Sequence, residues 1–225
     1  MASFVLVPGA GGMAWYWHRV VPLIRAAGHE PIAVDLPGDD GQAGLAAYAD
    51  IIIRAFGERS DVVLVAQSLA GFTVPLVCAR ASVRRVVLLN TMIPKPGETA
   101  GAWWDATGAV EARQQAAGRR GYATEFDVAT YFLHDVPQDV LRAGPEQPRE
   151  EAATVFGEPC CFERWPDIPI HVLAGTDDRF FPVEFQRRIA RERLGREMEE
   201  ISGGHLVALS NAEALTERLA AYERS

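Results

Sequence analysis

Asp61-Val-Val-Leu-Val-Ala-Gln-Ser-Leu-Ala-Gly71 is the stretch on which the reading of this chain turns. Residues 61–66 form an apolar, β-branched run too short for a helix, the pattern of a strand buried on both faces. From Leu69 to Arg80 the apolar residues take up helical spacing. Ser68 stands between the two, at a strand-to-helix turn. Such a turn can hold a serine strained and exposed, with the N–H groups and dipole of the helix start favouring negative charge beside it. The positions two before and two after the serine must be small, because strand and helix backbones crowd there. They are Ala66 and Ala70. A serine that merely caps a helix would look the same locally, so its meaning depends on the rest of the chain.

Working outward, short apolar runs alternate with segments of helical period. Strands are expected over residues 4–7, 31–34, 84–89, 168–174 and 197–201, and helices over 15–27, 45–56, 183–194 and 212–222. This alternation predicts an α/β fold: a mostly parallel central sheet of about six strands flanked by helices. Between residues 92 and 166 the rhythm breaks into a stretch rich in proline and aromatic residues. It is too long for an ordinary connection and should carry structure of its own. We expect a mostly helical cap inserted into a single domain spanning residues 1–225. It leaves the sheet at a strand's carboxyl end, where ligands bind in open α/β sheets.

Bulk properties narrow the function. The chain has 225 residues, 48 % hydrophobic and 23 % charged, enough for a large core and a solvated surface. A net charge of −8 disfavours nucleic acid and anionic membrane as partners. Cys78, Cys160 and Cys161 have no framework spacing, so reduced thiols in a cytoplasmic protein are expected. The amino-terminal run ends at Pro8 with no basic stretch before it, unlike a signal peptide, and no apolar run approaches the length of a membrane span.

Three further segments complete a chemical reading of Ser68. Leu-Val-Pro-Gly-Ala-Gly-Gly, residues 6–12, follows the first strand, and its glycines let the backbone turn N–H groups toward a ligand. The N–H groups of Ala10 and Leu69 are the expected oxyanion donors, with Gly9 and Gly11 lining the substrate's approach. A dinucleotide-binding loop is the rival reading. It survives only in a loose form, with Ala14 as the last residue of the fingerprint and Asp35 as the ribose acid. It leaves Ser68 and the carboxyl-terminal histidine unexplained.

Residues 172–182 follow a strand and offer Asp177 and Asp178; Asp178 is taken as the acid that orients a histidine and Asp177 as a turn or capping residue. Ile-Ser-Gly-Gly-His, residues 201–205, delivers His205 on a flexible loop. Of the other histidines, His18 falls on a helix, His29 in a turn and His171 in a strand, which leaves His134, in the insertion, placed to face substrate. Serine, aspartate and histidine thus occur in the order found in α/β-hydrolases.

The segment Phe-Val-Leu-Val-Pro-Gly-Ala-Gly-Gly-Met-Ala-Trp-Tyr-Trp-His, residues 4–18, resembles the opening of the plant methylesterase and hydroxynitrile lyase branch of the α/β-hydrolases. So do Gly28-His-Glu-Pro-Ile-Ala-Val-Asp-Leu-Pro-Gly38, the acid loop from Asp177 to Gln186, and Gly203-Gly-His-Leu-Val-Ala-Leu-Ser210. The likeness covers nearly the whole chain, least in the insertion. It implies the α/β-hydrolase fold, a catalytic triad of Ser68, His205 and Asp178, and oxyanion donors at Ala10 and Leu69. There are departures: Pro8 stands where the branch has a histidine, and the elbow carries alanines for glycines. The lyases of this branch have a lysine directly after the catalytic histidine, where this chain has Leu206. Ester hydrolysis is therefore expected over cyanohydrin cleavage.

The resulting expectation is a serine hydrolase that cleaves a small to medium, fairly apolar carboxylic ester through an acyl-enzyme, without metal or organic cofactor, as a monomer or homodimer. Trp103, Trp104, Phe126 and Phe132 either line its apolar pocket or form the core of the cap. The same triad would serve a lactone, a thioester or a carbon–carbon bond. A binding protein on this fold, with a slow or vestigial triad, is the rival of another class.

Overall fold

The computed structural model describes residues 1–224. Its centre is a six-stranded sheet of β1 (Ser3–Val7), β2 (Glu30–Ala33), β3 (Val62–Gln67), β4 (Arg85–Leu89), β5 (Ile170–Gly175) and β6 (Met198–Ile201). The strands lie in the order β2-β1-β3-β4-β5-β6 and every pairing is parallel. That order differs from the 3-2-1-4-5-6 sequence of dinucleotide-binding sheets. Every residue of β1, β3 and β4 is buried, which explains their continuous apolar runs: in a parallel sheet both faces are covered.

Alternate residues feed two cores. Val5, Val7, Leu64, Val86, Leu88 and Val172 face one side, packed by α2 (Leu45–Phe56), α3 (Val74–Cys78) and α9 (Val183–Leu194). Phe4, Leu6, Val63, Val65, Val87 and Leu173 face the other, under α1 (Val20–Ala26), α10 (Val207–Ser210) and α11 (Ala212–Arg224). The register pairs Val7 with Ala66, Gln67 with Leu89 and Leu89 with Leu173. The carboxyl ends of β1, β3, β4 and β5 therefore finish in line, and the loops carrying Gly9, Ser68, Asn90 and Asp178 leave from one edge.

Two expected helices are broken. Residues 69–80 begin as a 3-10 turn (Ser68–Phe72) before α3, and residues 15–27 divide into a 3-10 turn (Ala14–Trp17) and α1. Proline explains both. Pro75 and Pro22 lie in the first turns of α3 and α1, and a proline ring there clashes with the carbonyl four residues back, at Gly71 and His18.

Between β4 and β5 lie α4 (Ala100–Thr107), α5 (Ala109–Arg120), α6 (Val128–Tyr131), α7 (Gln138–Arg142) and α8 (Ala153–Gly157). Ala100, Trp103, Ala109, Val155 and Cys160 of this segment belong to the same apolar cluster as the sheet. No helix among the described residues is long and apolar enough to cross a membrane.

Candidate active site

The turn after β3 holds Ser68 at φ +52°, in the left-handed region that non-glycine residues avoid. The exit of β4 clamps it: Met92 N–H donates to the Ser68 carbonyl at 3.0 Å and Thr91 Oγ1 to the Ala66 carbonyl at 2.8 Å. The tightest position is neither Ala66 nor Ala70 but Gly71, where a Cβ would sit 1.9 Å from the Met92 carbonyl oxygen.

Ser68 Oγ lies 3.1 Å from His205 Nε2, and His205 Nδ1 lies 2.9 Å from Asp178 Oδ2. All three side chains are buried, Ser68 retaining 8 % exposure and the other two 2 % each. Asp178 also accepts from Phe180 N–H (2.8 Å), Phe181 N–H (2.9 Å) and Gln186 Nε2 (3.2 Å). These donors solvate a buried carboxylate that otherwise would be costly to keep charged. Neighbouring Asp177 is exposed and lies 4.0 Å from Arg120. The His205 loop hangs on Asn90, whose Nδ2 donates to the Gly204 and His205 carbonyls, each at 3.0 Å, while its Oδ1 accepts from Gly175 N–H at 2.7 Å. Aromatic rings enclose the imidazole. Phe132 stacks on it at 5.0 Å between centroids, and Phe180 and Phe181 meet it edge-on at 5.1 and 5.3 Å.

The loop after β1 packs directly on this turn: a Cβ at Gly9 would come within 2.8 Å of Ser68 Cβ. Gly9 N–H donates to Gln67 Oε1 at 2.9 Å, Gly11 N–H to Glu151 Oε2 at 2.7 Å, and Gly12 N–H to the Gly9 carbonyl at 3.0 Å. The N–H groups of Gly9 and Gly11, residues expected to line the substrate's approach, are bonded to the side chains of Gln67 and Glu151. Among the described residues' hydrogen bonds, the Ala10 N–H has no acceptor. The Leu69 N–H lies in the first turn of its helix, where no intrahelical acceptor exists. Gln67 supports the loop that begins at Pro8. Burial pushes the Glu151 carboxyl above the usual carboxylate range, opposed by hydrogen bonds from Tyr48 and Gly11.

The aromatic residues of the insertion divide. Trp103 is fully buried, donates Nε1–H to the Ile93 carbonyl at 3.1 Å and packs on Phe181 and Phe185, so it belongs to the core. Trp104 is half-buried against Phe180, and Phe126, 44 % exposed, stands near Phe132 and Phe180. His134 lies against Gly204, and its neighbour Asp135 accepts from Gly204 N–H at 2.5 Å. Burial holds the His134 pKa down. The supporting residues Gln67, Asn90, Glu151 and Gln186 escape sequence reading. Only Asn90 carried a signal, as the polar residue that ends an apolar strand.

The model of the alpha/beta hydrolase family matches residues 4–218, and the chain belongs to that family. Within it, the chain is 36 % identical over 112 residues to a protein named probable esterase PIR7A from Oryza sativa subsp. indica, covering 44 % of this chain and 42 % of that protein. It is 32 % identical over 103 residues to the alpha-hydroxynitrile lyase of Arabidopsis thaliana, covering 40 % of each. The matched stretches thus span about two fifths of these curated relatives. Among solved structures, a pyrethroid hydrolase from Sphingobium faniae JZ-2 superposes with a TM-score of 0.78 over 100 % of this chain and 98 % of its own, at 19 % identity.

Proposed function

We propose that this protein is a carboxylic-ester hydrolase acting through Ser68, His205 and Asp178 on a small to medium, fairly apolar ester. The observation that carries the reading is the hydrogen-bonded chain Ser68–His205–Asp178 at a strained strand-to-helix turn. His205 Nε2 takes the Ser68 proton as Oγ attacks the carbonyl carbon, and Asp178 holds the Nδ1–H tautomer and stabilises the imidazolium. The N–H groups of Ala10 and Leu69 receive the negative charge that develops on the carbonyl oxygen. His205 returns the proton to the leaving alcohol, and water activated by the same nitrogen then releases the acid. No metal or organic cofactor enters this scheme.

Residues 92–166 serve as the cap of a single domain, and Trp104, Phe132 and Phe180 supply the apolar wall. Leu206, where the lyases carry lysine, supports hydrolysis over cyanide release. The three unpaired cysteines suit a reducing cytoplasm, and a monomer or homodimer needs no further component.

The test is intact mass after exposure to a fluorophosphonate, comparing wild type with Ser68→Ala. A single adduct on wild type and none on the variant is expected, followed by turnover of a panel of esters, lactones and thioesters in which esters rank first. Absence of an adduct on wild type would refute the hydrolase reading. A panel led by lactones or thioesters would refute the substrate class.

A further inference from the structure

We propose that Glu151 is a positioning residue for the oxyanion loop: its carboxylate, brought in by the segment between β4 and β5, fixes the peptide plane next to the one that presents the Ala10 N–H. This rests on the hydrolase reading above.

The argument is one of peptide planes. The Gly9–Ala10 peptide carries both the Gly9 carbonyl and the Ala10 N–H. In a trans peptide these groups point in opposite directions. Gly12 N–H donates to the Gly9 carbonyl at 3.0 Å, so the Ala10 N–H is aimed away from Gly12. That aim holds only while the neighbouring planes stay in place. The plane before is held by Gly9 N–H on Gln67 Oε1, a residue of β3 adjoining Ser68. The plane after is held by Gly11 N–H on Glu151 Oε2 at 2.7 Å, across 140 residues of sequence. Glu151 is itself fixed, because its Oε1 accepts from Tyr48 Oη of α2 at 2.6 Å. A carboxylate accepting from an amide makes a charge-assisted bond, roughly twice as strong as a neutral one.

Glu151 is separable from the anchoring of its own segment. Ala152 N–H donates to the Gly38 carbonyl at 2.6 Å, and the Arg149 guanidinium binds Asp35 at 3.2 Å and the Leu36 carbonyl. Those contacts reach the loop after β2 and would survive loss of the Glu151 carboxylate. The Gly11 bond would not. The residues facing Glu151 are Tyr48 and Arg149, and Asp39 faces Arg149 in turn at 3.6 Å.

The experiment compares Glu151→Ala, Glu151→Gln and Tyr48→Phe with wild type, reading kcat and KM on an ester that wild type turns over and Gly11 amide exchange by NMR. Outright loss of one oxyanion donor costs about 10²–10³ in kcat, so misaiming one through Glu151→Ala should cost about 10- to 30-fold, with KM within about twofold. Gly11 exchange should quicken at least about tenfold, as expected of an amide that has lost its acceptor. Glu151→Gln, which keeps an oxygen for Gly11, should stay within about threefold of wild type on both readouts. A Glu151→Ala protein that melts like wild type, with unchanged kcat and unchanged Gly11 exchange, would overturn the proposal. If Glu151→Ala does not fold, Tyr48→Phe decides, since it frees one end of the carboxylate and should lower kcat about two- to fivefold while quickening Gly11 exchange. No change in either would overturn the proposal equally. A wild type that turns over no ester counts against the hydrolase reading, and Gly11 exchange then decides the role of Glu151 by itself.

Discussion

Replacing Asn90 with alanine tests how the His205 loop is held. Asn90 is fully buried at φ +47° and makes three short bonds, to Gly175 N–H and to the Gly204 and His205 carbonyls. Alanine removes all three. The buried Gly175 N–H left without a partner costs about 1–3 kcal/mol, and loss of the donor to two carbonyls adds about 1 kcal/mol or more. Alanine at positive φ adds about 1 kcal/mol, since asparagine tolerates that region better. The total is about 4 kcal/mol, which for a chain of this length lowers the melting temperature by roughly 8–16 °C. Thermal unfolding followed by circular dichroism at pH 7.5 reads it directly. Asn90→Asp separates bonding from shape: it keeps the volume and the acceptor for Gly175 but sets an oxygen against two carbonyls. It should lose about as much as alanine, and because the loop carries His205, both variants should lose at least about tenfold in kcat. An Asn90→Ala melting temperature within about 3 °C of wild type would refute the reasoning, as would an Asn90→Asp protein of wild-type stability.

Three other outcomes are expected. Asp178→Asn should leave the fold intact but allow the wrong imidazole tautomer, lowering kcat on the order of 10⁴-fold with little change in KM, as steady-state kinetics would show. Under native conditions a thiol reagent such as DTNB should modify Cys161 fast, half-buried Cys78 slowly and buried Cys160 only on unfolding, because Cys161 is exposed whereas burial pushes the other two thiols up to about 12. Arg59, then Ser3, hold the Glu30 carboxyl down at about 2 from an ordinary 4.5. A depressed carboxyl stabilises the fold above the unfolded value and loses that contribution as pH falls through the folded one. The melting temperatures of wild type and Glu30→Gln should therefore differ slightly above pH 5 and converge toward pH 2, the gap kept small by exposure. A constant gap across that range would count against the assignment.

Most of the sheet was legible because parallel strands buried on both faces leave uninterrupted apolar runs, as in β1, β3 and β4. Helices α2 and α9 occur over the expected residues, 45–56 and 183–194. The misreadings at residues 15–27 and 69–80 share a cause: periodicity alone ignores what Pro22 and Pro75 do to the carbonyl four residues back. In the candidate site, Ser68, Asp178 and His205 could be singled out because each follows a strand in a recognisable local setting. Gln67, Glu151 and Gln186 could not, since their meaning depends on partners far along the chain. The glycines of residues 9–12 marked a backbone free to turn its N–H groups but not the partners that fix it, Gln67 for Gly9 N–H and Glu151 for Gly11 N–H. Trp103 and Trp104 are adjacent in sequence yet differ by helical phase, one turned into the core and the other toward Phe180.

The insertion shares its interior with the sheet unevenly, and this constrains how such a protein could diversify. Around α4 and α8, Ala100, Trp103, Val155 and Cys160 are common property of insertion and sheet, so mutational drift there would threaten the whole cooperative unit. Around α6 the bond is looser, with Phe126 and Val128 exposed beside the Phe132 ring that covers His205. Evolvability is thereby partitioned: one part of the segment is held to the sheet's core, while the exposed stretch before Tyr131 can change at little thermodynamic risk. A library confined to residues 123–129, all exposed, would sample that freedom while leaving the fully buried Tyr131 in place.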